Sequence, residues 1–118
     1  MSKSLRLGIC LIAIWCLISI FAVPSPAYRV IQVVASRYSF EPSVIKVKKG
    51  EAVTLELSSK DVKHGFNAPD LGVRAVITPG QVSKVSFTAE KTGSFTFYCD
   101  IFCGSGHDDM NGKIEVTN

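Results

Sequence analysis

The chain has 118 residues, of which 47% are hydrophobic and 19% are charged, and its formal net charge is +3. A length of this size allows one globular domain with a single small core. Because Lys3 and Arg6 are the only charged residues before Tyr28, the rest of the chain is close to neutral and has no basic tract, which argues against nucleic acid as a partner.

The first predicted element is an N-terminal hydrophobic helix within residues 5–23. The run from Leu7 to Val23 contains no charged residue. The apolar stretch of a signal peptide has about 7–15 residues, whereas a membrane-spanning helix needs about 17–25, and this run lies at the boundary between the two classes. Residues 1–27 are therefore interpreted as either a signal peptide or a membrane anchor.

The residues around this segment predict where the remaining chain is located. Ser25-Pro26-Ala27 supplies small residues for cleavage before Tyr28. The two cations before the apolar run favour a cytoplasmic N-terminus. Residues 28–118 are thus expected on the periplasmic or extracytoplasmic face, anchored in the membrane if the segment is retained and secreted if it is cleaved.

Residues 28–118 are predicted to form β-strands and no helix. Ile45 and Val47 alternate with lysines up to the turn signal Lys49-Gly50, and an alternating run from Val53 to Leu57 follows. This period of two is typical of half-buried strands. We expect these two runs to be neighbouring strands.

Further strands are predicted up to the C-terminus, with turn signals such as Thr78-Pro79-Gly80 and Lys91-Thr92-Gly93 between them. About seven or eight short strands in a chain of this size indicate an all-β, two-sheet antiparallel sandwich. Sites in such folds lie on the end loops, so the segment Cys99–Met110, between the last two strands, is a candidate. Cys99 shares a strand face with Phe97, so its sulfur is expected to point inward.

The segment Cys99–Met110 collects donor atoms for a soft metal. Cys99, Cys103, His107 and Met110 fall within it, and His64 lies upstream. Thiolate and thioether donors select copper in its lower oxidation state, and imidazole suits both oxidation states of copper. A redox-active copper site is therefore predicted.

Other interpretations of the same residues remain open at this point. Cys99 and Cys103 lie on the oxidising side of the membrane and could form a disulfide. Two cysteines with His64 and His107 could also close a tetrahedral zinc site, which would leave Met110 without a role. Taken alone, His64 is an ordinary histidine at the end of a strand.

The pattern Cys-x3-Cys-x3-His-x2-Met with an upstream histidine resembles the CuA domain of cytochrome c oxidase subunit II, in particular its short single-helix bacterial form. The resemblance extends from about Ile31 to the C-terminus and includes Phe40-Glu41-Pro42 and Asp61-Val62-Lys63-His64-Gly65-Phe66. It implies that residues 28–118 form a cupredoxin-like Greek-key β-sandwich. Nitrous oxide reductases carry a similar domain, so the motif alone does not name the host enzyme.

The resemblance also implies a set of metal ligands for two copper ions. Cys99 and Cys103 would bridge both ions, and His64 and His107 would each terminate one ion. Met110 would be a weak ligand, and the backbone carbonyl of Ile101 would complete the set.

The function implied by the resemblance is electron transfer through this binuclear CuA-type centre. The donor would be a c-type cytochrome or a similar protein, and the chain would act either with a heme-copper oxidase subunit I or as a free carrier. Catalysis by the chain alone is not expected, because the sequence offers no second metal cluster and no Ser/His/Asp set. The alternatives are a periplasmic protein that binds and delivers copper, and a mononuclear blue-copper protein using one cysteine, two histidines and a methionine.

Three further expectations concern the surroundings of the site. Phe66, Phe97 and Phe102 are expected to exclude water from the metal. A solvent-exposed acidic rim is expected at three carboxylates, Asp100, Asp108 and Asp109. Oxidase relatives usually present an aromatic patch near copper that often includes tryptophan, whereas the only tryptophan here is Trp15.

Overall fold

A computed structural model describes residues 19–22 and 28–118 of the protein. The predicted N-terminal helix lies outside the described residues except for residues 19–22, which have no regular secondary structure. In the described part of the chain, no helix has the length and apolar character needed to cross a membrane.

The described residues form nine strands and two short 3-10 turns. The turns are Pro69–Leu71 and His107–Asp109. The strands, in chain order, are β1 (Tyr28–Ser36), β2 (Ser39–Glu41), β3 (Val44–Lys48), β4 (Ala52–Ser59), β5 (His64–Ala68), β6 (Val73–Ile77), β7 (Ser83–Thr88), β8 (Gly93–Tyr98) and β9 (Asn111–Thr117).

The strands form two sheets, which confirms the predicted all-β sandwich. One sheet has the order β2-β1-β4-β7 and the other has the order β3-β9-β8-β5-β6. The expectation of purely antiparallel sheets was wrong, because β1 pairs with β4 and β3 pairs with β9 in parallel. The strands β3 and β4, expected to be neighbours, lie in different sheets. An alternating pattern reports which face of a strand is buried but not which strand lies beside it, so this error is inherent in the pattern.

The core lies between the two sheets and follows the alternation of the sequence. Ile45 and Val47 of β3 point inward, as do Val53, Leu55 and Leu57 of β4. Three buried rings, Phe40, Phe66 and Phe97, contact one another, with ring centroids separated by 4.6 to 5.9 Å. Aromatic pairs at such distances contribute beyond their buried area, so this cluster is a firm part of the core.

The strand directions bring the predicted donors to one end of the sandwich. β5 begins at His64, whereas its antiparallel neighbour β8 ends at Tyr98, one residue before Cys99. The start of β5 and the end of β8 therefore lie at the same end of the sandwich. β9 begins at Asn111, so Met110 lies at this end as well. The long connection between β8 and β9 covers this end.

Candidate metal centre

The structure brings together all six residues predicted as ligands. Nδ1 of His64 lies 3.9 Å from Sγ of Cys99, which lies 3.9 Å from Sγ of Cys103. Sγ of Cys103 lies 3.7 Å from Nδ1 of His107 and 3.8 Å from Sδ of Met110. The carbonyl oxygen of Ile101 lies 3.1 Å from Sγ of Cys99. Residues from two strand ends and one loop thus share a single buried cluster.

His64 is held in one orientation by Asp61. The imidazole is fully buried, and its Nε2 lies 2.7 Å from Oδ1 of Asp61. The backbone N–H of Arg37 donates to this carboxylate, as does that of Val62, and these bonds together with the His64 ring hold the pKa of Asp61 well below its usual range. An ionised carboxylate only accepts hydrogen bonds, so Nε2 carries the proton and Nδ1 presents its lone pair to the cluster.

Cys99 is fixed from the β5 side. The backbone N–H of Gly65 donates a hydrogen bond of 3.3 Å to Sγ of Cys99. The backbone N–H of Cys99 donates to the carbonyl oxygen of Met110 at 3.0 Å. The first bond stabilises negative charge on the sulfur, and the second ties the end of β8 to the start of β9.

The connection that carries Cys103 is held by the turn between β1 and β2. Nε of Arg37 donates to the carbonyl oxygen of Cys103 at 2.9 Å. The ring of Tyr38 packs against the backbone of Gly104 and Gly106, where a side chain on either glycine would collide with it. The turn at Arg37 and Tyr38 therefore contacts both Asp61 and the Cys99–Met110 loop.

Both sulfurs are free thiols in this structure. The distance of 3.9 Å between them is well beyond the roughly 2.05 Å of a disulfide, so the disulfide alternative is not what the structure shows. Burial, together with the neighbouring Cys99, raises the pKa of the Cys103 thiol to about 11. A bound cation reverses this preference, because a coordinating thiol is deprotonated outright. Metal binding at this site is therefore coupled to proton release.

The donor set fits copper in both chemistry and spacing. His64, Cys99 and Cys103 offer ligand atoms that all lie within 4.8 Å of one another, and all three residues are buried. Metal–sulfur bonds of about 2.3 Å allow two sulfurs 3.9 Å apart to reach the same ion. A second imidazole and a thioether lie beside Cys103. This soft, mixed sulfur and nitrogen set is consistent with a copper site.

Two expectations about the surroundings need correction. Phe66 and Phe97 are buried in the core, whereas Phe102, which was expected to help exclude water, is 78% exposed, and its ring lies beside that of His107 with centroids 5.7 Å apart. Asp108 and Asp109 are exposed, whereas Asp100 is not a rim residue because its side chain is paired with Arg74. Position within the loop does not reveal these orientations, since Asp100 is paired with Arg74 of β6 and Phe102 lies beside His107 in the folded loop.

The structure adds supporting residues that the prediction did not assign. Asp61 could have been identified from the sequence, because it lies three residues before His64 in the stretch that carries the resemblance. Arg37 and Arg74 could not have been identified in this way, because they reach the Cys99–Met110 loop through side-chain hydrogen bonds that only the folded arrangement creates.

The sequence matches a known domain family and a known protein. The family described as a cupredoxin-like domain matches residues 8–116. Cytochrome c oxidase subunit 2 of Thermus thermophilus is 32% identical over 91 residues, which cover 77% of this chain and 67% of that protein.

Two solved structures have the same fold. A chain of a heme-copper terminal oxidase dimer superposes with a TM-score of 0.69 at 31% identity, over 75% of this chain and 64% of that chain. The periplasmic domain of cytochrome oxidase subunit II (CoxB) from Bradyrhizobium japonicum superposes with a TM-score of 0.73 at 21% identity, over 82% of this chain and 88% of that chain. This chain thus spans about two thirds of that Thermus thermophilus subunit and of that oxidase chain, and 54% of a second Thermus thermophilus subunit 2 that is also 32% identical.

Proposed function

This chain belongs to the cupredoxin-like domain family and is related to cytochrome c oxidase subunit II, and from that premise we propose that it transfers electrons through a CuA-type copper centre. The observation that carries the proposal is the pair of buried free sulfurs 3.9 Å apart, with an imidazole Nδ1 beside each of them. One sulfur with two imidazoles would serve a single copper ion. Two sulfurs with two imidazoles, beside the thioether of Met110, provide enough soft donors for two copper ions.

We assign the ligands as follows. The thiolates of Cys99 and Cys103 would hold two copper ions together with Nδ1 of His64 and Nδ1 of His107. Met110 and the backbone carbonyl of Ile101 would be the weaker ligands. Bound copper would supply a one-electron redox couple shared between the two ions.

The protein residues keep the ligands in place during such a transfer. Asp61 fixes the tautomer and orientation of His64, and Gly65 donates its N–H to the sulfur of Cys99. The buried rings of Phe66 and Phe97 exclude water from one side of the cluster. A water-poor, hydrogen-bonded site changes little between oxidation states, which favours rapid transfer at a small driving force.

We place the copper domain on the extracytoplasmic face, with residues 1–27 as a membrane anchor or a cleaved signal peptide. There it would accept electrons from a c-type cytochrome or a similar donor. It would deliver them to a heme-copper oxidase, as a subunit II-like component or as a free carrier. The exposed ring of Phe102 lies beside the imidazole of His107, so we assign the donor contact to this residue in place of a tryptophan.

Copper loading of the full chain tests the proposal. We expect about two copper ions per chain that share one unpaired electron, measured by metal analysis and by electron paramagnetic resonance and optical spectra. One copper per chain with a single strong blue band would contradict the binuclear assignment and favour a mononuclear protein. Tight zinc binding with no coloured copper form would contradict electron transfer. Rapid release of copper to an acceptor protein without redox cycling would favour copper delivery.

A further inference from the structure

Asp100 directly follows Cys99 in the sequence, and its side chain is turned away from solvent. Its side chain is 17% exposed, and Nε of Arg74 donates to Oδ2 at 2.5 Å. The other oxygen, Oδ1, is buried and has no hydrogen-bond partner among the described residues. An unpaired carboxylate oxygen is costly to bury, so this placement calls for an explanation.

Gly65 provides the space that Asp100 occupies. A Cβ atom at residue 65 would lie 1.8 Å from Oδ1 of Asp100 and 3.0 Å from its backbone nitrogen. Gly65 has no positive φ, so its backbone conformation does not require glycine. Glycine is needed here for close approach: the carboxylate of Asp100 packs directly against the β5 backbone beside His64.

The strands that carry His64 and Cys99 are weakly paired. β5 and β8 share one register pair, Asn67 with Tyr98, which lies next to Cys99 but three residues from His64. At the metal end, the hydrogen bond from Gly65 N–H to Sγ of Cys99 links the two strands. Arg74 lies on β6, on the far side of β5 from β8, and reaches across β5 to Asp100.

We propose that the Arg74–Asp100 pair positions Cys99 against β5, and thereby maintains the Gly65 N–H···Sγ hydrogen bond and the reduction potential of the centre. The ion pair holds Asp100, the residue after Cys99, against Gly65. It thereby keeps the backbone N–H of Gly65 within hydrogen-bond distance of Sγ of Cys99. The positive end of the N–H dipole stabilises the more negative, reduced site, so this hydrogen bond raises the potential. The inference about the reduction potential rests on the proposed copper function, whereas the positioning of Cys99 can be measured without metal.

The first test uses the metal-free full chain with Arg74 replaced. In Arg74→Met we expect faster hydrogen exchange of the Gly65 amide and faster alkylation of Cys99, with Arg74→Lys intermediate because it keeps the charge but not the planar donor. Asp108→Asn removes an exposed charge from the same loop and is the matched control, expected to change neither rate. Parent-like exchange and alkylation in Arg74→Met would overturn the positioning role. Arg74 is about half exposed, so we expect the variants to fold even though Arg74→Met leaves the largely buried Asp100 without its partner, and thermal unfolding checks this.

The second test loads the same chains with copper. Arg74→Met is expected to lower the reduction potential and shift the sulfur-to-copper absorption band. The double variant Arg74→Met/Asp100→Ala removes both charges together, so a lowered potential there reports geometry rather than charge. A double variant with the parent potential and band would overturn the inference. Failure of the parent chain to form a two-copper spectrum would instead count against the proposed function, and the metal-free measurements would still decide the role of Arg74.

Discussion

The two sides of the metal centre are built in different ways. The strand side consists of His64 and Cys99, at the ends of β5 and β8, and the loop side consists of Cys103, His107 and Met110. His64 is fully buried, and its second nitrogen is held by a carboxylate that accepts two backbone N–H groups. His107 lies in a short 3-10 turn, is half-buried, and has the exposed ring of Phe102 beside it.

This difference indicates how far each side of the site is ordered before a metal ion binds. On the strand side, the Asp61 network and the hydrogen bond from Gly65 N–H to Sγ of Cys99 hold the donor atoms before any ion binds. On the loop side, Cys103 and Met110 are buried, but His107 is half-buried, and the residues near it are held by the hydrogen bond from Arg37 to Cys103 and by the packing of Tyr38 on two glycines. We therefore expect the strand side to be preorganised and the loop side to adjust when metal enters.

The largest effect is expected for Cys103→Ser, which removes the bridging sulfur of the loop side. A serine oxygen is a hard donor and a poor ligand for copper, whereas His64, Cys99, His107 and Met110 still form a set suited to a single ion. We expect the two-copper spectrum to disappear and at most one copper per chain to remain, by metal analysis and electron paramagnetic resonance. Ser105→Ala, on the same loop, is the control and should bind as the parent does. Two coppers retained in Cys103→Ser would show that Cys103 is not a bridge.

An intermediate effect is expected from removing each histidine in turn. Loss of an outer-shell partner typically weakens metal binding by about 10–100-fold, so His64→Ala and His107→Ala should each lose at least that much. Added imidazole should restore the copper spectrum of His107→Ala, because the half-buried position admits a small molecule from solvent. It should not restore His64→Ala, whose cavity is closed and borders the carboxylate of Asp61. Equal rescue of both variants would contradict the difference between the two sides.

The sequence predicted the strand content and the Cys99–Met110 loop from local patterns, namely alternation in strands such as β3 and β4 and the spacing of the loop donors. His64 lies far upstream and was added to the donor set only because of the loop. Sheet partners were not predictable, since the parallel pairing of β1 with β4 depends on the whole topology. For the same reason the direction of Asp100 and Phe102 was not predictable: the first is decided by Arg74 on another strand, and the second by how the loop closes over His107.

The smallest effect is expected for Met110→Leu, which tests whether the loop side tolerates loss of a weak ligand. The Met110 backbone is held by Cys99 and His107, so its position does not depend on the thioether. Leucine fills a similar volume and should cost less than about 1.5 kcal/mol in the free energy of unfolding. We expect two coppers to be retained and the reduction potential to rise, because an electron-pair donor to the more positive, oxidised state is lost. Voltammetry beside copper analysis measures both quantities. If Met110→Leu lost copper as completely as Cys103→Ser, Met110 would be a principal ligand and the loop side would be as rigidly specified as the strand side.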